Sequence, residues 1–303
     1  MSDDAPASIR PPAVPEPAVP GADFRQSGRL PPGPGRDDAP AGGAPASGRG
    51  PEDPPVFRLE EVSSTFDEAW RLVDLGRLPV FGSVLAGRQT GGRGRAGSVW
   101  SSPPGHVYAS LRLPRGEPFS GTRGSLGLAL LVCEALELAG GPRLMIKWPN
   151  DLVLDGAKVG GLLLESKKRA LVAGVGLNLG AAPGGFDRDP QAPPAGALPG
   201  SLGPPRRLWP VLVRGMILCY NNWLRGFAGP GGDPGGLSAA VVRRLLWLGE
   251  TVAARSASTT PPCPPGTLVG RIVGLDASGA LLVENQTGTR AVWSGTLTLA
   301  DEP

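Results

Sequence analysis

From Phe57 onward the chain carries regular hydrophobic spacings that the residues before it lack. Phe57 to Val62 and Val80 to Ala86 read as strands. Between them, Ser63-Ser64-Thr65 precedes Asp67 and Glu68, so hydroxyl caps and acids stand where a helix start favours them, and the helix runs to about Gly76. Val107 to Leu113 alternates like a strand. Ser125 to Leu138 is apolar over most of its surface and predicts a largely buried helix. Leu144 to Trp148, Leu152 to Leu154, Lys158 to Glu165 and Leu171 to Leu179 are strands in close succession. Helices follow from about Leu208 to Phe227 and from Leu237 to Trp247.

The C-terminal pattern is different. Thr251 to Ala254, Leu268 to Leu275, Ala280 to Glu284, Arg290 to Trp293 and Leu297 to Leu299 are short strands. Turns at Asp276-Ala277-Ser278-Gly279 and Asn285-Gln286-Thr287-Gly288 separate them, which predicts a small antiparallel barrel or sandwich. Residues 1–55 are dominated by Pro, Gly, Ala, Asp and Arg and bury too little to offset their ordering entropy, so they read as a disordered tail. The predicted organisation is therefore a tail over 1–55, a main domain over 56–247 and a small β domain over 248–303. The Pro/Gly-rich stretches 181–205 and 228–236 read as loops.

A hydrophobic content of 40% permits a sizeable core, and a net charge of +3 argues against a dedicated nucleic-acid binder. The 3 cysteines show no CxxC spacing and His106 is the only histidine, so no structural zinc site is expected. Cys133 and Cys219 fall in apolar helical patterns and read as buried thiols in a reducing cytosol. The chain shows neither a signal-peptide pattern nor an apolar run long enough to span a bilayer, and a cytoplasmic location is expected.

Candidate chemistry lies in three segments. Gln89-Thr90-Gly91-Gly92-Arg93-Gly94-Arg95-Ala96-Gly97, followed by Trp100, offers a mobile cationic loop whose glycines allow close backbone approach to a ligand. It has neither Walker spacing nor the helix that a dinucleotide-binding turn needs, and taken alone it is equally a solvated turn. Lys147-Trp148-Pro149-Asn150-Asp151 is followed by Lys158-Val159-Gly160-Gly161, in which Lys158 is either a strand-edge gatekeeper or a fixed cation. The Gly160-Gly161 pair favours the second, because two glycines weaken a strand unless something must approach its backbone. Gly174-Val175-Gly176-Leu177-Asn178 reads as a tight strand with an amide at its end. Trp100 is either core or a stacking surface for adenine, and His106 reads as a loop residue without a catalytic role.

In order and spacing these segments, together with Ser64-Thr65-Phe66, resemble the biotin protein ligases over residues 57–300. The resemblance implies an α+β fold: a mixed β-sheet with packed helices, like the class II aminoacyl-tRNA synthetase catalytic domain, and a C-terminal SH3-like β-barrel. It implies ATP-dependent activation of biotin to biotinyl-5'-AMP, and transfer to a lysine of a biotin carboxyl carrier protein, with Mg²⁺. By that resemblance Ser64, Thr65, Phe66, Gln89 and Gly161 line the biotin pocket, and Arg93, Gly94 and Arg95 close over it. Lys158, with Arg93 and Arg95, is implied as the catalytic cation, while Trp100, Asn150, Asp151, Gly176 and Asn178 fall near the nucleotide. No protein metal site is implied. Phe66 stands where the family pattern has asparagine, and Ser98 where it often has a further base. Residues 1–55 show no helix-turn-helix pattern, so the ligase-only type without DNA binding is expected. Monomer and homodimer both stay open. A lipoate-type ligase of the same fold and a non-catalytic biotin- or nucleotide-binding regulator are the alternative readings.

Overall fold

The computed structural model describes residues 53–121, 123–167, 170–184, 192–227, 234–256 and 266–300. The tail expected before them, and Cys263, lie outside the described residues. Asp53, placed in that tail by its composition, instead pairs with Arg214 at 2.8 Å, and the first strand begins directly afterwards.

The elements run β1 (Val56–Val62), α1 (Thr65–Asp74), β2 (Ser83–Gln89), β3 (Val107–Leu113), α2 (Gly124–Leu138), β4 (Met145–Lys147), β5 (Asp151–Leu154), β6 (Ala157–Lys167) and β7 (Ala170–Leu177). These strands form one 7-stranded sheet in the order β1-β2-β3-β7-β6-β5-β4, with β1 and β2 parallel and the other pairs antiparallel. Every residue of β7 is buried, as a central strand covered on both faces requires. One face packs against α2 through Leu128, Leu131 and Leu136, with α3 (Pro205–Phe227) beyond it. The other is covered by α1, whose Phe66, Ala69 and Leu72 meet Val84 and Val172. Ser64 caps α1 as expected, its hydroxyl accepting the Phe66 N–H at 3.3 Å.

Most boundaries shift by one to three residues from the sequence reading, and two changes have a visible cause. β2 starts at Ser83, because Phe81 adopts a left-handed φ of 62° and Gly82 turns back onto the Pro79 carbonyl at 2.9 Å. Among the described residues the last helix, α4 (Pro234–Val242), begins inside the stretch 228–236 read as a loop and stops short of Trp247. The residues after it pair with β4 instead: the Ile146 N–H donates to the Arg244 carbonyl at 2.7 Å, and the Leu246 N–H donates back to Ile146 at 2.9 Å. Arg244 fixes this segment through a two-pronged ion pair with Glu137 at 2.7 and 2.9 Å.

The small domain holds β8 (Thr251–Ser256), β9 (Gly266–Leu275), β10 (Leu281–Asn285), β11 (Gly288–Val292) and β12 (Thr296–Leu299). They form an antiparallel sheet of order β11-β10-β9-β8-β12. Its buried Val252, Ile272, Val283 and Leu297 join the main core. The Trp148 indole N–H donates to the Gly279 carbonyl at 3.3 Å, which ties the turn before β10 to the large sheet. Among the described residues no helix is long and apolar enough to cross a membrane.

Candidate active site

The strand order sets β2, β3, β7, β6 and β5 side by side, so motifs remote in sequence meet around one cleft of about 870 Å³. Its inner end is polar and joined by internal hydrogen bonds. Gln89 accepts from the Thr65 N–H at 2.8 Å and from the Thr65 hydroxyl at 3.0 Å. The Gln89 amide then donates to Ser102 at 2.9 Å, and Ser102 donates to the Trp100 carbonyl at 3.1 Å. Thr65 and Ser110 share a further bond of 2.8 Å, and Ser64 completes this wall. Such a chain of buried hydroxyl and amide groups fixes donors and acceptors for a small polar ligand.

The floor is made by glycine. Gly161 and Gly176 are cross-strand partners on β6 and β7. A Cβ on either would come within 2.6 Å of the Trp100 ring, so the indole lies directly on bare backbone. Trp100 Nε1 is buried against this floor without a hydrogen-bond partner, a cost the packing of the ring must offset. Gly174 plays the same part for Phe66, whose Cε2 stands 2.2 Å from where a Cβ would be.

Cations gather over this floor. Lys158 Nζ lies 2.7 Å from Asp151 Oδ1 and 5.4 Å from the Trp100 ring centre. Arg95 donates to Asn150 Oδ1 at 3.3 Å and to the Gly295 carbonyl at 3.5 Å. Burial lowers the Arg95 pKa while Asp151 opposes that shift, so the charge is held by its acidic neighbour. Arg93 pairs with Asp67 at 2.6 Å and sits 5.5 Å over the Phe66 ring. Asn150 in turn donates to the Leu162 carbonyl at 2.6 Å, which fixes the amide that Arg95 meets.

Ser64, Thr65, Phe66, Gln89, Arg93, Gly94, Arg95, Trp100, Asn150, Asp151, Lys158, Gly161 and Gly176 therefore all line the same cleft. Asn178 does not: it is buried beside the cleft and its amide donates to the Gly196 carbonyl at 2.8 Å and the Lys158 carbonyl at 3.5 Å. Its position braces the backbone of Lys158. His106 lies in the bend before β3, as expected of a loop residue, and is buried there; its Nδ1 accepts the Leu179 N–H at 3.0 Å, and burial lowers its pKa. It is not part of the cleft wall.

The sequence reading missed two groups. Ser102 and Ser110 belong to no motif; the loop after Trp100 brings the first to Gln89, and the placing of β3 against α1 brings the second to Thr65. Arg255, Ser294, Gly295 and Thr296 come from the small domain and close one side of the cleft. Arg255 and Thr296 are cross-strand partners, a pairing no local pattern announces.

Residues 60–181 match the biotin/lipoate A/B protein ligase family, and residues 264–296 match the biotin protein ligase C-terminal domain. The biotin–[acetyl-CoA-carboxylase] ligase of Paracoccus denitrificans is 34% identical over 220 residues, which is 69% of this chain and 86% of that protein. The chain belongs to the biotin protein ligase family. Another biotin protein ligase relative, the bifunctional ligase/repressor BirA of Bacillus subtilis, is 30% identical over 251 residues, 78% of this chain and 72% of that one. The biotin protein ligase of Aquifex aeolicus, solved in complex with biotin and ATP, superposes with a TM-score of 0.61 at 25% identity over 82% of this chain and 99% of that chain. Within the biotin protein ligase pattern the departure at Phe66 has a structural reading: the ring is core, 3% exposed, while it still borders the cleft.

Proposed function

We propose that this chain activates biotin with ATP and transfers the biotinyl group to a lysine of a biotin carboxyl carrier protein. The observation that carries the reading is the convergence of Lys158, Arg93 and Arg95 with a hydrogen-bonded polar end on one cleft. The biotin carboxylate oxygen attacks the α-phosphorus, a P–O bond forms, and pyrophosphate leaves. The lysine amine then attacks the acyl carbon of the mixed anhydride, loses its proton, and expels AMP. Negative charge grows on the α-phosphate in the first step, and preorganised cations in a partly enclosed site stabilise it.

In this reading Lys158 is the central cation and Arg95 its neighbour, while Ser64, Thr65 and Gln89 hold the ureido ring. Trp100, Asn150, Asp151 and Gly176 take the nucleotide side; Asn178 supports Lys158 from behind. Loop 90–98 shields the adenylate from water. Among the described residues no group of three or more His, Cys, Asp or Glu could hold a metal alone. Asp151 is the carboxylate on the cleft wall, a donor set suited to Mg²⁺ that arrives on ATP phosphates and keeps its waters. Mg²⁺ would screen phosphate charge there. A cytoplasmic location follows from the substrates, and the carrier protein is the expected partner.

Incubation with ATP, biotin and a carrier domain should label one lysine, read by streptavidin blot and mass spectrometry. A carrier with that lysine changed to arginine should stay unlabelled. Label spread without preference over both carriers would contradict directed transfer.

A further inference from the structure

The Gly-Arg-Gly-Arg loop is fastened to α1. Its first arm follows the corner between β1 and α1: the Thr90 N–H donates to the Val62 carbonyl at 3.0 Å and the Gly91 N–H to the Ser63 carbonyl at 2.7 Å. Its two arms pair through Arg93 and Val99, and the Trp100 N–H donates to the Gly92 carbonyl at 2.9 Å. Between these backbone contacts lies one side-chain contact to α1. The Arg93 guanidinium reaches Asp67 at 2.6 Å and lies 5.5 Å from the centre of the Phe66 ring. Phe66 and Asp67 are consecutive in the first turn of α1, so one guanidinium meets both a ring and a carboxylate there.

We propose that Phe66 and Asp67 are positioning residues that act through Arg93 to latch the loop over the cleft. The proposal rests on the ligase reading for its consequence, since the latch would set how long the adenylate is retained. Phe66 is rigid enough to serve as one half of the latch. It is buried, its ring rests on the bare backbone of Gly174, and its neighbours Trp70, Val84 and Val172 are core. Asparagine at this position would offer a hydrogen bond to the ligand but no face for a cation. The exchange of asparagine for phenylalanine therefore replaces a ligand contact with a loop contact. Because Arg93 pairs with Val99, and Gly92 with Trp100, a grip on Arg93 also holds the return arm that lays Trp100 on the glycine floor.

The test uses the full chain carrying Phe66→Leu, Asp67→Asn, Asp67→Glu, Arg93→Ala, or Arg93→Ala combined with either of the first two. Two rates are measured: trypsin cleavage after Arg95 in the substrate-free protein, and escape of preformed biotinyl-adenylate. Phe66→Leu and Asp67→Asn should each raise both rates about three- to fivefold, the scale of one exposed cation–ring contact or ion pair. Asp67→Glu should restore most of the loss. Neither change should add to Arg93→Ala, because all act through one side chain. Parental cleavage in Asp67→Asn, or effects that add fully to Arg93→Ala, would overturn the latch. Asp67 is a surface residue, so its variants stay informative even if Phe66→Leu loses stability. If the latch variants loosen the loop but the parent forms no adenylate, the ligase reading fails and the latch stands.

Discussion

Lys158→Ala is expected to slow adenylate formation by roughly 10²–10³-fold while the melting temperature stays nearly unchanged. The side chain is 32% exposed, and its partner Asp151 is 17% exposed, so their 2.7 Å ion pair contributes no more than about 1 kcal/mol to folding. The backbone of Lys158 bonds to Pro194 and Gly196 and does not depend on the side chain. The loss in catalysis is larger for a reason visible in the cleft. Without the ammonium, Asp151 faces the incoming phosphates with only the neighbouring Arg95 to offset its negative charge. Single-turnover formation of the adenylate, with calorimetry on the same sample, checks both halves. Near-parental turnover would reduce Lys158 to a strand-edge gatekeeper.

Phe66→Asn is expected to destabilise the protein by about 3–5 kcal/mol, the cost of emptying a buried phenylalanine site. For a domain of this size that is a fall in Tm of roughly 10 °C. Restoring one hydrogen bond to biotin would return only about 0.5–1.5 kcal/mol, and only in the bound state. The core term wins because Phe66 is 3% exposed and packs with Ala69, Leu72 and Val172. Thermal unfolding and biotin titration on one preparation decide the matter. A parental Tm with tighter biotin binding would show that the ring is dispensable to the core.

These two residues also mark what was legible before the structure. Lys158 could be singled out because Gly160-Gly161 beside it makes no sense in an ordinary strand, and the floor on which Trp100 rests explains the second glycine. Phe66 could not be resolved, since a phenylalanine in a first helical turn reads equally as core or as pocket. It is both, a result of α1 crossing the sheet where Gly174 leaves room. Local periodicity located β3 and α2 almost to the residue, because their patterns are set by burial of the element itself. It failed after Val242, where apolar residues look helical but bond to β4. Non-local pairing has no local signature. For the same reason the small-domain wall, with Arg255 and Gly295, stayed hidden: its residues matter only once β8 and β12 are paired beside the cleft. Asn178 shows the converse, a motif residue whose amide serves the backbone behind Lys158.

Whether the cleft activates biotin is decided by exchange of labelled pyrophosphate into ATP, catalysed by the full chain with Mg²⁺. The first half-reaction regenerates ATP from bound adenylate, so exchange reports activation without any carrier protein. A biotin ligase with Lys158 as its central cation should give exchange that depends on biotin, is absent with lipoate in its place, and is nearly abolished in Lys158→Ala. Lipoate-dependent exchange would assign the cleft to the other branch of the fold, and biotin binding by folded protein with no exchange at all would contradict a ligase.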